Sequence, residues 1–205
     1  MTQIAIRKSP EPVALNLEMG SAIRLNDEEL LELCRRNREL RIERTREGDL
    51  IVMTPAGGSS SRRNARVVAA LLNWADEDGS GVVYDSSGGF LLDNGAMRAP
   101  DAAWVRRSRL AKIPPEELEG FVPLCPDFVV EIRSPSDALP ELEAKMEEYL
   151  DNGARLGWLI DPSRRRVSVY RPGRPVEVLE EPGEIAGDPE LPGFVFSLGP
   201  VWQLD

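Results

Sequence analysis

An apolar run that ends in charged residues most constrains how this chain can fold. Residues 126–137 read Pro-Asp-Phe-Val-Val-Glu-Ile-Arg-Ser-Pro-Ser-Asp. Aromatic and β-branched residues between two prolines are typical of a strand buried on both faces. Glu131 is the exception, because an ionised carboxylate is costly to bury without a compensating cation or metal ion. Two interpretations follow: Arg133 or another neighbouring cation neutralises Glu131, or Glu131 binds a metal.

Composition excludes several kinds of site. The chain has no histidine, and its two cysteines, Cys34 and Cys125, are too few for a disulfide framework. These counts argue against a zinc site and against Ser-His-Asp or Cys-His catalysis. We therefore expect any metal to be held by oxygen ligands, which favours Mg²⁺, Mn²⁺ or Ca²⁺. No run of 18 apolar residues and no signal-peptide pattern is found, so we expect no membrane contact and a cytoplasmic location.

Charge is unevenly distributed along the chain. The net charge of −10 argues against tight non-specific binding of nucleic acid, which depends on neutralising phosphates. Residues 35–66 nevertheless contain nine arginines against four acids, and residues 177–190 contain six acids and no base. The pattern fits either a locally basic face on an acidic protein or solvated charges of both signs.

Hydrophobic periodicity predicts one domain of alternating strands and helices, residues 25–205, after an arm of residues 1–24 that is ill-ordered or pairs with a sheet edge. Asn26 and Glu29 have capping-box spacing at the start of a first helix. The other predicted elements are a hairpin of residues 40–44 and 50–53, helices at 61–77 and 138–152, and strands at 82–84, 89–92, 99–105, 127–133, 156–161, 167–170 and 176–179.

The two longer helices carry apolar stripes. Asp137 is predicted to cap the later helix, and the Gly-Ser loop before the earlier one either binds phosphate or is a plain turn with a serine cap. The residues predicted to be buried are Ala65, Val68, Ala69, Leu72 and Ala75 in the first, and Leu142, Met146, Tyr149 and Leu150 in the second.

Antiparallel pairing of strands 99–105 and 127–133 would bring Asp101 next to Glu131. Two adjacent carboxylates repel each other and raise one pKa unless a cation lies between them. Lys145 lies at the edge of the buried stripe of its helix, with a stem long enough to reach inward. The alternative for Lys145 is a surface ion pair with Glu141 at i,i+4 spacing.

Several sequence blocks together resemble the Uma-type endonuclease family of the restriction-endonuclease-like PD-(D/E)XK nuclease superfamily. They are residues 40–43, 51–58, 100–105, 126–137, 145–149 and 153–162. The resemblance implies an α/β fold with a restriction-endonuclease-like core, in which helices flank a central mixed β-sheet and extra β-hairpins are added. It also implies Mg²⁺-dependent hydrolysis of DNA phosphodiester bonds, with Mn²⁺ as an alternative metal, by a homodimer.

The resemblance assigns roles to particular residues. Asp101 and Glu131 match the metal-ligand positions, and the carbonyl of Ile132 is a further candidate ligand. The superfamily pattern places lysine where this chain has Arg133. Arginine cannot act as a general base, so Arg133 is expected to contact a phosphate or to hold Glu131. Lys145 looks like the displaced catalytic lysine.

Glu43 matches an additional N-terminal acid of related nucleases. The alternative is that Glu43 is simply paired with Arg41 or Arg44. The arginines of residues 62–66 are candidates for contacts with the nucleic-acid backbone.

Two other functions stay open. One is a catalytically inactive nuclease-fold module that binds nucleic acid or protein. The other is a structural or dimerising domain in which Glu131, Arg133 and Lys145 form a buried ion network. Binding of a divalent metal at Asp101 and Glu131 distinguishes a nuclease from both.

Overall fold

A computed structural model describes residues 15–17, 24–53 and 55–203 of the chain. The strands are β1 (Leu15–Leu17), β2 (Arg41–Arg44), β3 (Leu50–Met53), β4 (Gly81–Asp85), β5 (Phe90–Leu91), β6 (Met97–Arg98), β7 (Ala102–Arg106), β8 (Phe128–Ile132), β9 (Leu156–Asp161), β10 (Arg166–Tyr170), β11 (Glu177–Glu180), β12 (Glu184–Ala186) and β13 (Val195–Ser197). The helices are α1 (Asp27–Arg36), α2 (Gly58–Asp78), α3 (Arg107–Leu110), α4 (Leu139–Asp151) and α5 (Gly199–Trp202), with a 3-10 turn at Pro115–Glu119.

The central sheet has six strands in the order β11-β10-β9-β8-β7-β4. Strands β8 and β9 are parallel and are joined through α4, whereas the other neighbours are antiparallel. The sheet is therefore mixed, and α2 and α4 pack against it, as the sequence predicted. Strand β8, the predicted buried strand, lies in the middle of this sheet.

Alternating side chains of β8 face opposite layers. Phe128 and Val130 belong to the apolar cluster that includes the buried face of α2. Val129 belongs to the cluster that includes Met146 and Tyr149 of α4. Because strand side chains alternate, Glu131 lies on the same face as Val129 and points toward α4.

A smaller sheet, in the order β1-β3-β2-β6-β5, carries the predicted hairpin of β2 and β3. Helix α1 packs on it through Leu30, and its predicted capping box between Asn26 and Glu29 is confirmed. Strand β1 pairs with the edge of β3, so this part of the predicted arm is edge-pairing. Residues 1–14 and 18–23 of the arm lie outside the described residues.

The predicted stripe of α2 was largely wrong. The helix buries Val67, Leu71 and Ala75, whereas Leu72 is 45% exposed. The physical reason is Trp74, whose ring packs against Trp104 of the sheet, with ring centroids 5.6 Å apart. Packing this large side chain turns the helix away from the face that the smaller residues suggested.

Further predictions need correction. Asp137 does not cap α4: the N-cap is Ala138, and the Asp137 carboxylate accepts a hydrogen bond from the Ser134 amide at 2.8 Å. Strands β12 and β13 and helix α5 were not predicted. Among the described residues, no helix combines the length and apolar character needed to cross a bilayer.

Candidate active site

Asp101 and Glu131 lie side by side at the end of β8. The antiparallel register pairs Ala102 of β7 with Val130, so the residue before Ala102 faces the residue after Val130. The Asp101 carboxylate accepts a hydrogen bond from the Ile132 amide at 2.8 Å, which fixes it against β8. The strand pairing predicted from the sequence is confirmed. It places two carboxylates side by side where the C-terminal end of β8 meets the N-terminal end of β7.

Lys145 reaches these two carboxylates from α4. Its Nζ lies 2.8 Å from Oε1 of Glu131 and 2.8 Å from Oε1 of Glu43. The Lys145 side chain is 12% exposed, so both contacts are largely shielded from water. A pair between Lys145 and Glu141 is not found among the described ion pairs. The inward orientation expected for this lysine is therefore observed.

Glu43 enters the site from β2 and is surrounded by cations. Besides Lys145, it lies 3.3 Å from Nη1 of Arg98 and 3.6 Å from Nη2 of Arg41. Its Oε1 also accepts a hydrogen bond from the Ala99 amide. Arg44 instead pairs with Asp27 of α1. Glu43 thus joins the smaller sheet to the carboxylates of the central one.

Tyr149 is a site residue that sequence reasoning missed. Its hydroxyl donates a hydrogen bond of 3.0 Å to Oε1 of Glu131, and its side chain is fully buried. Tyr149 lies four residues after Lys145, so both project from the same side of α4 toward Glu131. That spacing is the signal that would have found it.

Arg41 and Asn64 were also missed. Arg41 donates to Oδ1 of Asp101 at 3.0 Å and to the Ala99 carbonyl. Asn64, in the second turn of α2, lies 3.4 Å from the same Asp101 oxygen. Ser60, in the first turn, shares a hydrogen bond with Ser134 just after β8. Helix α2 therefore borders the site with its N-terminal end.

Two residues differ from their expected positions. Arg133 does not hold Glu131: its Nη1 lies 2.7 Å from Asp161 at the end of β9, because adjacent parallel strands bring these two ends together. Helical spacing predicts that Glu148 lies further round α4 than Lys145, toward solvent, but its side chain is only 13% exposed and pairs with Arg98 at 2.6 Å. The cation that contacts Glu131 is Lys145, which Glu131 shares with Glu43.

The carboxylates of the site respond differently to burial. Burial raises the pKa of Glu131, and the carboxylates of Asp101 and Glu43 raise it further against the opposing effect of Lys145 and Arg41. Burial also acts to raise the pKa of Glu43, but Lys145, Arg41 and Arg98 hold it below its usual value. The site therefore carries a carboxylate whose charge is only partly compensated.

Burial also raises the pKa of Tyr149 well above its usual value, with the charges of Glu131 and Glu43 acting in the same direction. Its hydroxyl therefore stays protonated and can donate to Glu131.

The Uma2 family model, described as "Putative restriction endonuclease", matches residues 27–199 of the chain. The chain belongs to this family. The fold of this chain is similar to that of a crystal structure described as "a putative nuclease belonging to DUF820" from Anabaena variabilis, with a TM-score of 0.71. The match has 23% identity and covers 87% of this chain and 97% of that one, so it concerns the fold. Among curated proteins, no match to the chain is found.

The Uma2 site has oxygen donors that suit a hard divalent cation. Among the described residues, the hydrogen bond from Tyr149 and the ion pair with Lys145 both fall on Oε1 of Glu131, and Glu131 lines the same cleft as Asp101 and Ile132. No group of three or more His, Cys, Asp or Glu side chains that could hold a metal is found in the part of the chain described. Mg²⁺ fits such a donor set, because it commonly takes one or two carboxylates and completes its shell with water and phosphate oxygens.

Proposed function

We propose that this chain is a Mg²⁺-dependent endodeoxyribonuclease that hydrolyses phosphodiester bonds in DNA at the Asp101–Glu131 site. The observation that carries the proposal is the pair of carboxylates on adjacent strands with one buried lysine against them, at the end of a cleft. Membership of the Uma2 family supports the reaction class. Mn²⁺, which accepts similar ligands, would replace Mg²⁺.

Asp101 and Glu131 would hold the metal, with the Ile132 carbonyl as a further ligand. The Ile132 amide already donates to Asp101, and the amide and carbonyl of one strand residue point to the same side. When bound, the metal polarises the scissile phosphate and lowers the pKa of a water molecule.

Lys145 and its partners would act on the developing charge. Hydrolysis forms a bond from the water oxygen to phosphorus and breaks the bond to one sugar oxygen, which takes up a proton. Lys145 would orient the water or stabilise negative charge on the phosphate. Glu43 holds the Lys145 ammonium in place, and Tyr149 fixes the Glu131 carboxylate that the same lysine contacts.

Arg133, which the family resemblance placed among the catalytic residues, has a structural role in this proposal. Its guanidinium is bound to the Asp161 carboxylate and to the Asp137 carbonyl. We assign it to holding the end of β8 against β9. The arginine at the position of the superfamily lysine therefore leaves the proposed reaction to Lys145.

A cleavage assay tests the proposal. Supercoiled plasmid and circular single-stranded DNA are incubated with the wild-type protein in Mg²⁺, Mn²⁺ or EDTA, beside Asp101→Asn and the control Asp161→Asn. We expect metal-dependent cleavage that falls by about 10²–10³-fold in Asp101→Asn and persists in Asp161→Asn. Equal cleavage by the wild type and Asp101→Asn, or no cleavage of any substrate by the wild type, would contradict the proposal.

Stability and assembly provide two further checks. Asp101→Asn should leave the protein folded with a nearly unchanged melting temperature in metal-free buffer, because relief of the repulsion with Glu131 offsets the weakened contact with Arg41. The homodimer implied by the family resemblance stays a prediction, and sedimentation equilibrium of the full chain tests it.

A further inference from the structure

The cleft that leads to Asp101 and Glu131 has one charged end and one apolar wall. Its volume is about 560 Å³, within the range of sites that hold small organic ligands. Away from the carboxylates its lining includes Leu40, Ile42 and Phe121, which pack in one apolar cluster. A site that only gripped the phosphates of DNA would not need this apolar surface.

Phe121 is held in a fixed position at this wall. A Cβ on Gly89 would lie 2.5 Å from the Phe121 ring, so glycine at that position lets the ring lie against the backbone. The ring also packs on the apolar cluster of α1 and the smaller sheet. Its remaining surface lines the cleft, which offers a rigid aromatic face without a large cost in side-chain entropy.

Leu40 connects the apolar wall to the carboxylates. It packs on the same apolar cluster as Phe121 and directly precedes Arg41, whose Nη1 lies 3.0 Å from Asp101. The apolar wall therefore begins one residue away from the arginine that contacts a proposed metal ligand. A nucleotide whose phosphate lies at Asp101 and Glu131 would have this wall in the same cleft as its base.

The cations of the cleft are too few to hold a duplex by its backbone. The described lining contains Arg38, Arg41 and Lys145, and the last two are paired with the carboxylates of the site. The chain as a whole has a net charge of −10. Because duplex affinity comes mainly from phosphate neutralisation, binding inside this cleft needs another source of energy, whatever arginines outside the cleft contribute.

We propose that the cleft binds a single unstacked nucleotide of single-stranded DNA, with its base against Phe121 and Leu40 and its phosphate at Asp101 and Glu131. This inference rests on the proposed function and specifies its substrate. Stacking on an aromatic side chain accepts any base, so no sequence preference is required. Paired DNA must first lose stacking and pairing before a nucleotide can enter, whereas a mismatch lowers that cost.

The test measures binding by the wild-type protein in Ca²⁺ to phosphorothioate probes, which are not cleaved, because the phosphate needs a cation between it and Asp101 and Glu131. The probes are a single-stranded oligonucleotide that contains 2-aminopurine, its fully paired duplex and a duplex with one mismatch. We expect the single strand to bind about tenfold or more tightly than the duplex, with the mismatched duplex between them. The 2-aminopurine fluorescence should change on binding of the single strand.

Two variants locate the base. Phe121→Ala and Leu40→Ala should each weaken single-strand binding, by about tenfold for Phe121→Ala and less for Leu40→Ala. Leu72→Ala is the matched control, since Leu72 is an exposed apolar residue outside the cleft. Melting temperatures show whether each variant is folded, and Leu40→Ala carries the test if Phe121→Ala is not.

Equal binding of duplex and single strand would overturn the inference, as would wild-type affinity in both folded variants. Because binding is measured on probes that are not cleaved, that result would leave the cleavage assay to judge the proposed hydrolysis. Conversely, single-strand binding that depends on Phe121, in a protein that cleaves nothing, would refute the hydrolysis and support the cleft as a nucleotide site.

Discussion

Two ion pairs near the end of β8 differ in how completely the carboxylate is satisfied. Asp161 receives Arg133, together with hydrogen bonds from the amide and hydroxyl of Ser163 and from the amide of Arg164. Burial acts to raise the pKa of Asp161, but the hydrogen bonds from Ser163 and Arg133 lower it overall. This pair is a complete structural unit.

The second pair is incomplete. Glu131 shares Lys145 with Glu43 and stands beside Asp101, so burial and neighbouring carboxylates raise its pKa overall. The native fold thus favours the charged form of Asp161 and penalises that of Glu131. A buried carboxylate that the protein leaves undercompensated marks a place where a cation can bind, whereas a fully satisfied one marks a structural anchor.

The difference between the two ion pairs is tested most strongly by neutralising each carboxylate in turn. Glu131→Gln should lower the cleavage rate by about 10²–10³-fold and leave the free energy of unfolding unchanged or higher, because it removes an undercompensated charge. Asp161→Asn should do the reverse, with normal cleavage and a loss of about 1–3 kcal/mol of stability. Cleavage assays and urea unfolding measure both. If Glu131→Gln unfolds easily and still cuts, Glu131 belongs to a structural ion network.

Removing Lys145 should increase the repulsion between the Glu131 and Glu43 carboxylates that it contacts. Lys145→Met should destabilise the fold by about 3 kcal/mol, because Glu131 and Glu43 are left buried without their common cation. The double variant Lys145→Met with Glu43→Gln should recover part of that loss, and chemical unfolding of the four proteins in a mutant cycle measures the coupling. Additive losses in this cycle would show that Lys145 and Glu43 do not act together.

The Tyr149 hydroxyl should have a smaller effect. Tyr149→Phe removes one donor from Oε1 of Glu131 and should cost about 1 kcal/mol of stability. Since the carboxylate loses its orientation, Mg²⁺ affinity should fall by about tenfold, as expected for groups that orient a metal ligand. Calorimetry measures the affinity, and an unchanged affinity would restrict Tyr149 to packing.

The smallest effect concerns pH. Because the pKa of Asp161 is lower in the folded than in the unfolded protein, its charge stabilises the fold above the unfolded value of about 3.9. That contribution is lost as the pH falls through the folded value. The stability difference between wild type and Asp161→Asn should therefore be full at pH 6 and shrink below about pH 4. Urea unfolding at a series of pH values tests this, and a constant difference would contradict the assignment.

The sequence predicts those parts of the site that follow from local periodicity. Alternation along β8 and antiparallel pairing are enough to place Asp101 beside Glu131. Helical spacing is enough to turn Lys145 inward. The same spacing extends to Tyr149, so that contact was predictable in principle.

The remaining contacts depend on which elements become neighbours in space. Arg133 meets Asp161 because β9 lies parallel to β8, and Arg98 meets Glu148 across 50 positions of the chain. No local pattern contains these two contacts. The buried face of α2 is different: Val67, Leu71, Trp74 and Ala75 have helical spacing, so the sequence offers this stripe as well as the predicted one, and only the packing against the sheet distinguishes them.

Metal titration in the presence of DNA tests the central claim most directly. Mg²⁺ and Mn²⁺ are titrated by calorimetry into wild type, Asp101→Asn, Glu131→Gln and Asp161→Asn, each mixed with an uncleavable phosphorothioate oligonucleotide that supplies the phosphate ligand. We predict metal binding by wild type and Asp161→Asn and its loss in Asp101→Asn and Glu131→Gln. Absence of binding by the wild type, or equal binding by all four proteins, would contradict a metal site at Asp101 and Glu131.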